Sequence, residues 1–136
     1  MKDTAAIGSI SEAKILARFV ELGWEVLIAW RRSRRYDMVI ERDGKFYRVQ
    51  CKTGRLSKDG DYIAFNAYNV NGTSQVRRNY VGEIDYFAIY CPQNEKVYFI
   101  ALDDKLGTST TDFRLRLLPT RNNQEKRTRM AVDYEL

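Results

Sequence analysis

The 136-residue sequence contains no histidine at all. This absence excludes Ser-His-Asp and Cys-His nucleophilic catalysis, a histidine general base and histidine-ligated zinc. Only two cysteines are present, Cys51 and Cys91, and their positions match no metal-binding or redox motif. Any chemistry must therefore come from carboxylates, lysine, arginine, tyrosine or a hard metal ion held by oxygen atoms.

Long apolar runs are also missing. No run approaches the roughly 20 residues that a helix needs to cross a bilayer, and the N-terminus lacks the pattern of a signal peptide. The sequence therefore predicts an intracellular protein, in the cytoplasm or nucleoid, without a membrane partner. A length of 136 residues with 44% hydrophobic content indicates a single globular domain over 1–136. Residues 120–136 are predicted to form a basic tail or helix at its end.

What the chain has in excess is positive charge. The formal net charge is +5 and the isoelectric point is near 9.3, which favours a polyanionic partner, nucleic acid first and an anionic membrane surface second. Arginine forks match phosphate oxygens bidentately, whereas the alternative for any charged run is a solvated loop. The predicted DNA-binding residues are Arg31, Arg32, Arg34, Arg35, Arg77 and Arg78.

The strongest local signal is a turn dipeptide in the middle of residues 36–53. Alternating runs at 36–41 and 46–52 flank Asp43-Gly44. A type I′ turn needs positive φ at both central residues, and this dipeptide adopts that conformation readily. The sequence therefore predicts a β-hairpin.

The hairpin would sort its side chains onto two faces, because successive residues of a strand point in opposite directions. The predicted apolar face holds Tyr36, Met38, Ile40, Tyr47, Val49 and Cys51. The predicted polar face holds Asp37, Arg48, Gln50 and Lys52. Directly opposed residues have Cβ atoms roughly 5 Å apart, so an acid, an amide and an ammonium group are expected to converge on one small patch.

Other elements follow from periodicity and from turn residues. An amphipathic helix is predicted over Thr4–Leu22, with Ser9 as N-cap of a capping box closed by Glu12, although the helix could also begin near Asp3. The predicted strands or extended segments are Trp24–Trp30, Tyr62–Val70, Ile84–Cys91, Lys96–Ala101 and Phe113–Leu118. One helix followed by several strands indicates an α/β or α+β fold with a mixed sheet.

These residues together resemble a known family. Glu12 in the first helix, Asp37 at the start of one strand and Gln50-Cys51-Lys52 on the next resemble the PD-(D/E)XK nuclease superfamily. Gln50 stands where the family usually has Asp or Glu, and Tyr36 replaces the proline. Both this glutamine and residues 79–102 are similar to the subset that contains small homing endonucleases. The resemblance implies a restriction-endonuclease-like fold, with a central mixed β-sheet flanked by helices.

The resemblance also implies a metal-dependent endonuclease acting on double-stranded DNA, with Glu12, Asp37, Gln50 and Lys52 as its catalytic residues. Magnesium takes oxygen ligands, and Mn²⁺ is expected to substitute. Lys52 would orient or help deprotonate the attacking water. A homo-oligomer, dimer or tetramer, is implied as well. The predicted ligands are Asp37, Gln50, Glu12 and the backbone carbonyl of Cys51.

Two other functions fit the same residues. One is a structure-specific nuclease similar to Holliday-junction resolvases, which usually keep a glutamate at the position of Gln50. The other is a DNA-binding module without catalysis on the same fold. Each residue also has a plain structural role open to it. Asp37 could form a cross-strand surface ion pair with Lys52 or Arg48, worth less than about 1 kcal/mol. Gln50 could satisfy a backbone group, and Glu12 could simply close the capping box.

Overall fold

The structure is a computed structural model, and it describes residues 3–31, 35–70, 73–119 and 129–136. Its elements in chain order are α1 (Thr4–Glu21), β1 (Glu25–Ile28), β2 (Met38–Arg42), β3 (Lys45–Thr53), β4 (Arg55–Leu56), β5 (Tyr62–Asn66), β6 (Asn69–Val70), β7 (Arg77–Arg78), β8 (Tyr86–Cys91), β9 (Lys96–Ala101), α2 (Asp104–Gly107), β10 (Asp112–Arg116) and a 3₁₀ turn (Ala131–Asp133).

A five-stranded mixed sheet lies at the centre, in the order β1-β2-β3-β8-β9. Strands β3 and β8 are parallel, and the other neighbouring pairs are antiparallel. A second, antiparallel sheet has the order β10-β5-β4, and β6 pairs with β7 as a short ribbon. The predicted α+β class with a central mixed sheet is confirmed. The two faces of the central sheet are covered by different elements: α1 packs on one face, and the three-stranded sheet packs on the other.

Strand β8 shows why both faces of the central sheet are apolar. Phe87 and Ile89 pack in the cluster shared with the three-stranded sheet. Ala88 and Tyr90, which point the opposite way, pack in the cluster shared with α1. A strand buried on both faces is expected to have an almost continuous apolar sequence. Residues 86–91 have such a sequence.

Helix α1 begins earlier than the capping box indicated. Asp3 is the N-cap, and its Oδ1 accepts a hydrogen bond from the amide of Ala5 at 3.0 Å. Ser9 lies inside the helix, so its prediction as N-cap is wrong. The helix ends before Gly23, whose φ of 79° is the left-handed conformation typical of a helix stop. Among the described helices, none has the length and apolarity needed to cross a membrane.

Tyr36 and the first predicted strand depart from simple alternation. Tyr36 packs with the cluster under the three-stranded sheet, not with the α1 cluster that holds Met38 and Ile40. It precedes β2, so the pleat that sorts the strand residues does not extend to it. The strand predicted over Trp24–Trp30 is shorter, Glu25–Ile28, and Trp30 is 97% exposed.

The predicted basic tail or helix falls partly on residues 120–128, which lie outside the described residues. Met130, in the last described segment, forms a bridge with Arg116 of β10, whereas residues 134–136 lie along β9 of the central sheet. The Leu136 amide donates to the Val97 carbonyl at 3.0 Å, and Glu135 forms a β-bridge with Tyr98. The end of this segment therefore adds to the edge of β9, and within residues 129–136 the helical structure is one short 3₁₀ turn.

Candidate active site

A tight turn fixes the register of β2 and β3, and with it the position of the site. Both turn residues have positive φ, 53° at Asp43 and 79° at Gly44, as a type I′ turn requires. The ladder pairs Val39 with Arg48 as predicted. Asp37, which comes immediately before β2, therefore lies beside the middle of β3.

Three oxygen-bearing groups meet where Asp37 contacts β3. The Asp37 amide donates to the Val49 carbonyl at 2.9 Å, and its Oδ2 accepts from the Cys51 amide at 2.8 Å. The amide of Gln50 lies 3.4 Å from the Cys51 carbonyl. Nitrogen and oxygen of a glutamine amide are assigned from such contacts, so a rotated Gln50 amide would turn its oxygen to the same side.

The chemistry of these donors fits a hard divalent cation. Magnesium is held by carboxylate, amide and carbonyl oxygens and keeps several waters. Within the described ranges, no three His, Cys, Asp or Glu residues are grouped closely enough to hold a metal ion. The ligand set would therefore combine the Asp37 carboxylate with two neutral oxygens, those of Gln50 and of the Cys51 backbone.

Glu12 approaches the site from α1. Its neighbour Ser11 is 2% exposed and forms a hydroxyl–hydroxyl hydrogen bond of 2.6 Å with Thr53, which ties the helix to β3. Burial raises the pKa of the Cys51 thiol well above its usual value, and the negative charges of Asp37 and Glu12 add to the increase. Both carboxylates therefore lie near enough to Cys51 to act on the same thiol.

Lys52 is held in a partly buried position. Its Nζ donates to the Tyr68 carbonyl at 3.0 Å and lies 4.9 Å from the centre of the Tyr80 ring. Burial lowers the pKa of Lys52 to about 8; the charge of Arg35 acts in the same direction, and the charge of Asp37 acts against it. Asp37 and Lys52 are therefore close enough to influence each other, as the hairpin predicted.

The comparisons agree with this geometry. The sequence profile of the PD-(D/E)XK endonuclease family matches residues 2–136. The chain belongs to the PD-(D/E)XK endonuclease family. Its fold is similar to the solved structure of a bacterial homing endonuclease, I-Ssp6803I, with a TM-score of 0.75 and 23% sequence identity over 98% of this chain and 89% of that chain. No curated protein matches this chain in sequence.

Two residues of this PD-(D/E)XK endonuclease's site escaped the sequence analysis. Tyr80 is 2% exposed, and the Lys52 ammonium group packs against its ring. Tyr68 supplies the carbonyl that accepts from Lys52. No sequence signal marks either contact, because each one depends on how the chain after β3 folds back over it. Arg48 was expected beside Asp37, but its Nε lies 3.2 Å from Asp85.

The predicted DNA-binding arginines of this family member have different surroundings. Arg31 is exposed, whereas Arg32 and Arg34 lie outside the described residues. The Arg35 guanidinium points inward, 4.3 Å over the Tyr80 ring, and donates to the Asn79 carbonyl at 2.9 Å. It also lies 3.3 Å from Glu83.

The second basic pair lies on β7. Arg77 stacks 4.4 Å over the Tyr68 ring and donates to the Thr110 carbonyl at 3.1 Å. Arg78 lies 3.7 Å from Glu83. Both remain exposed. Because Arg77 packs on the residue whose carbonyl holds Lys52, this pair lies next to the candidate active site.

A cavity of about 770 Å³ opens beside Lys52. Its walls come from the first half of α1, the β3–β4 junction and the end of β5. Lys52, Arg55 and Asn66 are among its polar residues. The cavity therefore connects one residue of the candidate active site, Lys52, with residues of the three-stranded sheet.

Proposed function

We propose that the protein is a magnesium-dependent endonuclease that hydrolyses phosphodiester bonds of double-stranded DNA, as a sequence-specific homing endonuclease. One observation carries the proposal. The carboxylate of Asp37 is bonded to the Cys51 amide at 2.8 Å, while the next residue, Lys52, is held in place by the Tyr68 carbonyl. The carboxylate would serve as a metal ligand, and the ammonium group on the adjacent strand would contact the phosphate.

Asp37, Gln50, Glu12 and the Cys51 carbonyl would hold the ion, and Mn²⁺ would replace Mg²⁺. A bound divalent cation supplies charge stabilisation to a phosphoryl transition state. Gln50 in place of an acid leaves the site one negative charge short of the usual family pattern. We therefore expect weaker ion binding than a site with a third carboxylate would give.

Lys52 acts on the substrate side of the site. Its Nζ can donate to a non-bridging phosphate oxygen or to the attacking water, because an ammonium group has three donors and the Tyr68 carbonyl takes one. Fixed donors aimed at developing charge are among the largest contributors to catalysis. Tyr80 stays protonated, because burial raises its pKa to about 12, so its ring is a neutral support.

DNA would be held first through its phosphates. We propose contacts from Arg31, Arg32, Arg34, Arg35, Arg77 and Arg78, with Arg35 acting from inside the site. Phosphate contacts position a protein on the duplex, whereas base contacts carry sequence information. A domain of this size covers few base pairs, so recognition of a long site calls for a dimer or a tetramer.

The first test is cleavage of a plasmid and of a pooled library of target duplexes, with and without Mg²⁺ or Mn²⁺. Asp37→Ala and Lys52→Ala are each expected to lower the rate by about a hundredfold or more. Lys45→Ala is the matched control, because Lys45 is exposed at the hairpin end of the same strand. It is expected to cleave like the wild type.

DNA binding separates catalysis from a module that only binds. Lys52→Ala is expected to retain the duplex affinity of the wild type, and calorimetry is expected to detect Mg²⁺ binding that is lost in Asp37→Ala. A wild type that binds DNA but neither cleaves it nor binds the ion would overturn the proposal in favour of a non-catalytic module. A four-way junction cleaved in preference to plain duplex would assign the site to a structure-specific nuclease.

A further inference from the structure

The three-stranded sheet has one buried side and one side turned to solvent. Ile63, Phe65 and Leu115 are fully buried against the central sheet. The alternate residues of the same strands form what we call the outer face. Its members are Arg55, Tyr62, Ala64, Asn66, Asp112, Arg114 and Arg116. The core side fixes this sheet on the body of the protein, so the outer face is a rigid surface.

The outer face is organised in cross-strand rows. Ala64 lies at the centre of one row, with Arg114 opposite on β10 and Arg55 opposite on β4. In the next row Arg116 is opposite Tyr62. Because alanine is small, the arginine side chains on either side stand above the centre of the sheet. The outer face is therefore a positively charged surface with a shallow depression at its centre.

Aromatic stacking gives these arginines a fixed direction. The guanidinium of Arg114 lies 4.3 Å over the Tyr62 ring, and that of Arg116 lies 6.0 Å from it. Among the described residues, Arg114 and Arg116 take part in no ion pair, in contrast to Arg55, which lies 3.0 Å from Asp112. Stacking orders a guanidinium without occupying its donors. The donors of Arg114 thus remain available to a ligand. Arg116 donates from its Nε to the Leu118 carbonyl at 3.3 Å, so a ligand would be bound by its terminal nitrogens.

We infer that the outer face docks in the major groove of double-stranded DNA, where Arg114 and Arg116 donate to the edges of bases. This inference rests on the proposed function and adds the residues that select the target. The major groove admits a two-stranded β-ribbon, and β5 with β10 forms such a ribbon over five paired residues. Arginine binds the O6 and N7 atoms of guanine bidentately, so G·C pairs are the expected targets.

The position of the outer face agrees with this role. Arg55 and Asn66 belong both to the outer face and to the wall of the cavity that Lys52 lines. A duplex seated on the outer face therefore reaches the candidate active site along a continuous surface. This continuity distinguishes the outer face from the position of Arg42, a half-buried arginine that stacks on Trp24 on the α1 side of the central sheet.

The test is selection of bound duplexes from a pool with randomised base pairs, carried out in EDTA so that nothing is cut. The wild type, Arg114→Gln, Arg116→Gln and the double variant are compared with Arg42→Gln, a matched control because Arg42 is also stacked on an aromatic ring. Affinity for the duplex that the wild type enriches is then measured at several salt concentrations, with duplex RNA as competitor.

Each outer-face variant is expected to lose preference at particular base pairs and to bind the enriched duplex about tenfold more weakly, whereas Arg42→Gln behaves like the wild type. Duplex RNA is expected to compete poorly, because side chains cannot read its deep, narrow major groove. Equal weakening on every sequence, with a shallower salt dependence, would assign Arg114 and Arg116 to phosphates and overturn base recognition. Unchanged DNA binding by the outer-face variants would overturn docking altogether. Because cleavage by the wild type is measured separately, neither result contradicts the proposed nuclease activity.

Discussion

Two of the arginine–tyrosine stacks among the described residues have the same separation, 4.3 Å. Arg35 on Tyr80 lies inside, next to Lys52. Arg114 on Tyr62 lies on the outer face. The two pairs share their side-chain types and their separation, and they differ in burial and in the polar partners of the arginine.

In the inner pair the guanidinium is committed to the protein. Arg35 donates to the Asn79 carbonyl and lies beside Glu83. Within the described residues, its Nε and Nη1 are buried and make no hydrogen bond. Two cations, Arg35 and Lys52, therefore face one tyrosine ring in a region poor in water, where charges interact strongly. Such a site attracts an anion, and a phosphate group is the one that the proposed reaction supplies.

In the outer pair the ring orders a guanidinium that solvent still reaches. The energy of a cation–π contact is about 0.5–1 kcal/mol at an exposed position and about 2 kcal/mol when the pair is desolvated. We therefore expect the inner pair to matter for folding and catalysis, and the outer pair to matter for binding alone.

In the comparison of the two pairs, the largest effect is expected from replacing the ring of the inner pair. Tyr80→Leu removes the support of both cations, so the cleavage rate is expected to fall about tenfold or more, with the free energy of unfolding lowered by about 2 kcal/mol. Single-turnover cleavage and chemical denaturation measure the two quantities, and duplex affinity is expected to stay within about twofold.

Two matched variants test whether the ring is the cause. Tyr80→Phe keeps the ring and is expected to retain the cleavage rate within a few-fold. Tyr62→Leu, the same substitution in the outer pair, is expected to leave the stability nearly unchanged and to weaken DNA binding. If Tyr62→Leu slowed single-turnover cleavage as much as Tyr80→Leu, it would be wrong to assign catalysis to the inner pair and DNA binding alone to the outer pair.

The next largest effect is expected where the chain passes from the central sheet into the three-stranded sheet. Gly54 lies between β3 and β4, and its amide donates to the Tyr90 carbonyl at 2.7 Å. A Cβ added there would lie 2.7 Å from Ile63 and 2.9 Å from Ile89. Gly54→Ala is therefore expected to lower the free energy of unfolding by about 1–3 kcal/mol, as measured by chemical denaturation.

Gly8 provides the control for this substitution. It lies in α1 with nothing within 4 Å of an added Cβ. Since alanine is the better helix former by about 1 kcal/mol, Gly8→Ala is expected to stabilise the protein. Equal effects of the two substitutions would mean that the space at Gly54 does not limit packing.

The smallest effect is expected at Arg48, whose partner is the carboxylate of Asp85 and not an aromatic ring. Burial acts to raise the pKa of Asp85, but hydrogen bonds from the side chain and backbone of Arg48 outweigh it and hold that pKa below its usual value. The stabilisation is present above the unfolded-state pKa of about 3.9 and is lost as the pH falls through the lower folded-state pKa.

Asp85→Asn is therefore expected to be less stable than the wild type by about 1 kcal/mol at neutral pH, a small value because the pair is partly exposed. Denaturation at a series of pH values is expected to show the two proteins converging below about pH 4. A difference that stays constant down to pH 2 would mean that the charge of Asp85 is not what stabilises the pair.

Local patterns explain which features the sequence could predict. The hairpin and its register followed from Asp43-Gly44 and strict alternation, and they bring Asp37 beside Gln50-Cys51-Lys52. The mixed sheet followed from strand-like runs after a single helix. Each of these signals lies within a few residues of the structure that it determines.

The features that were missed depend on contacts distant in sequence. Tyr80 reaches Lys52 only because β8 returns parallel to β3 after a long crossover. Ser9 matched a capping box, but the helix extends back to Asp3, which is an equally suitable N-cap. Arg114 and Tyr62 form the outer pair through the pairing of β5 with β10, and periodicity within either strand does not reveal the partner strand.

The strand bridge at Tyr98 has a consequence for how the central sheet can be extended. Residues 134–136 hydrogen-bond along β9, and a covered edge resists pairing with another chain. At the other edge, β1 pairs with β2 and leaves Leu27 and Ile28 exposed. The sheet is thus closed to strand addition where β9 is covered, and a second polypeptide that joins it by backbone pairing would do so beside β1.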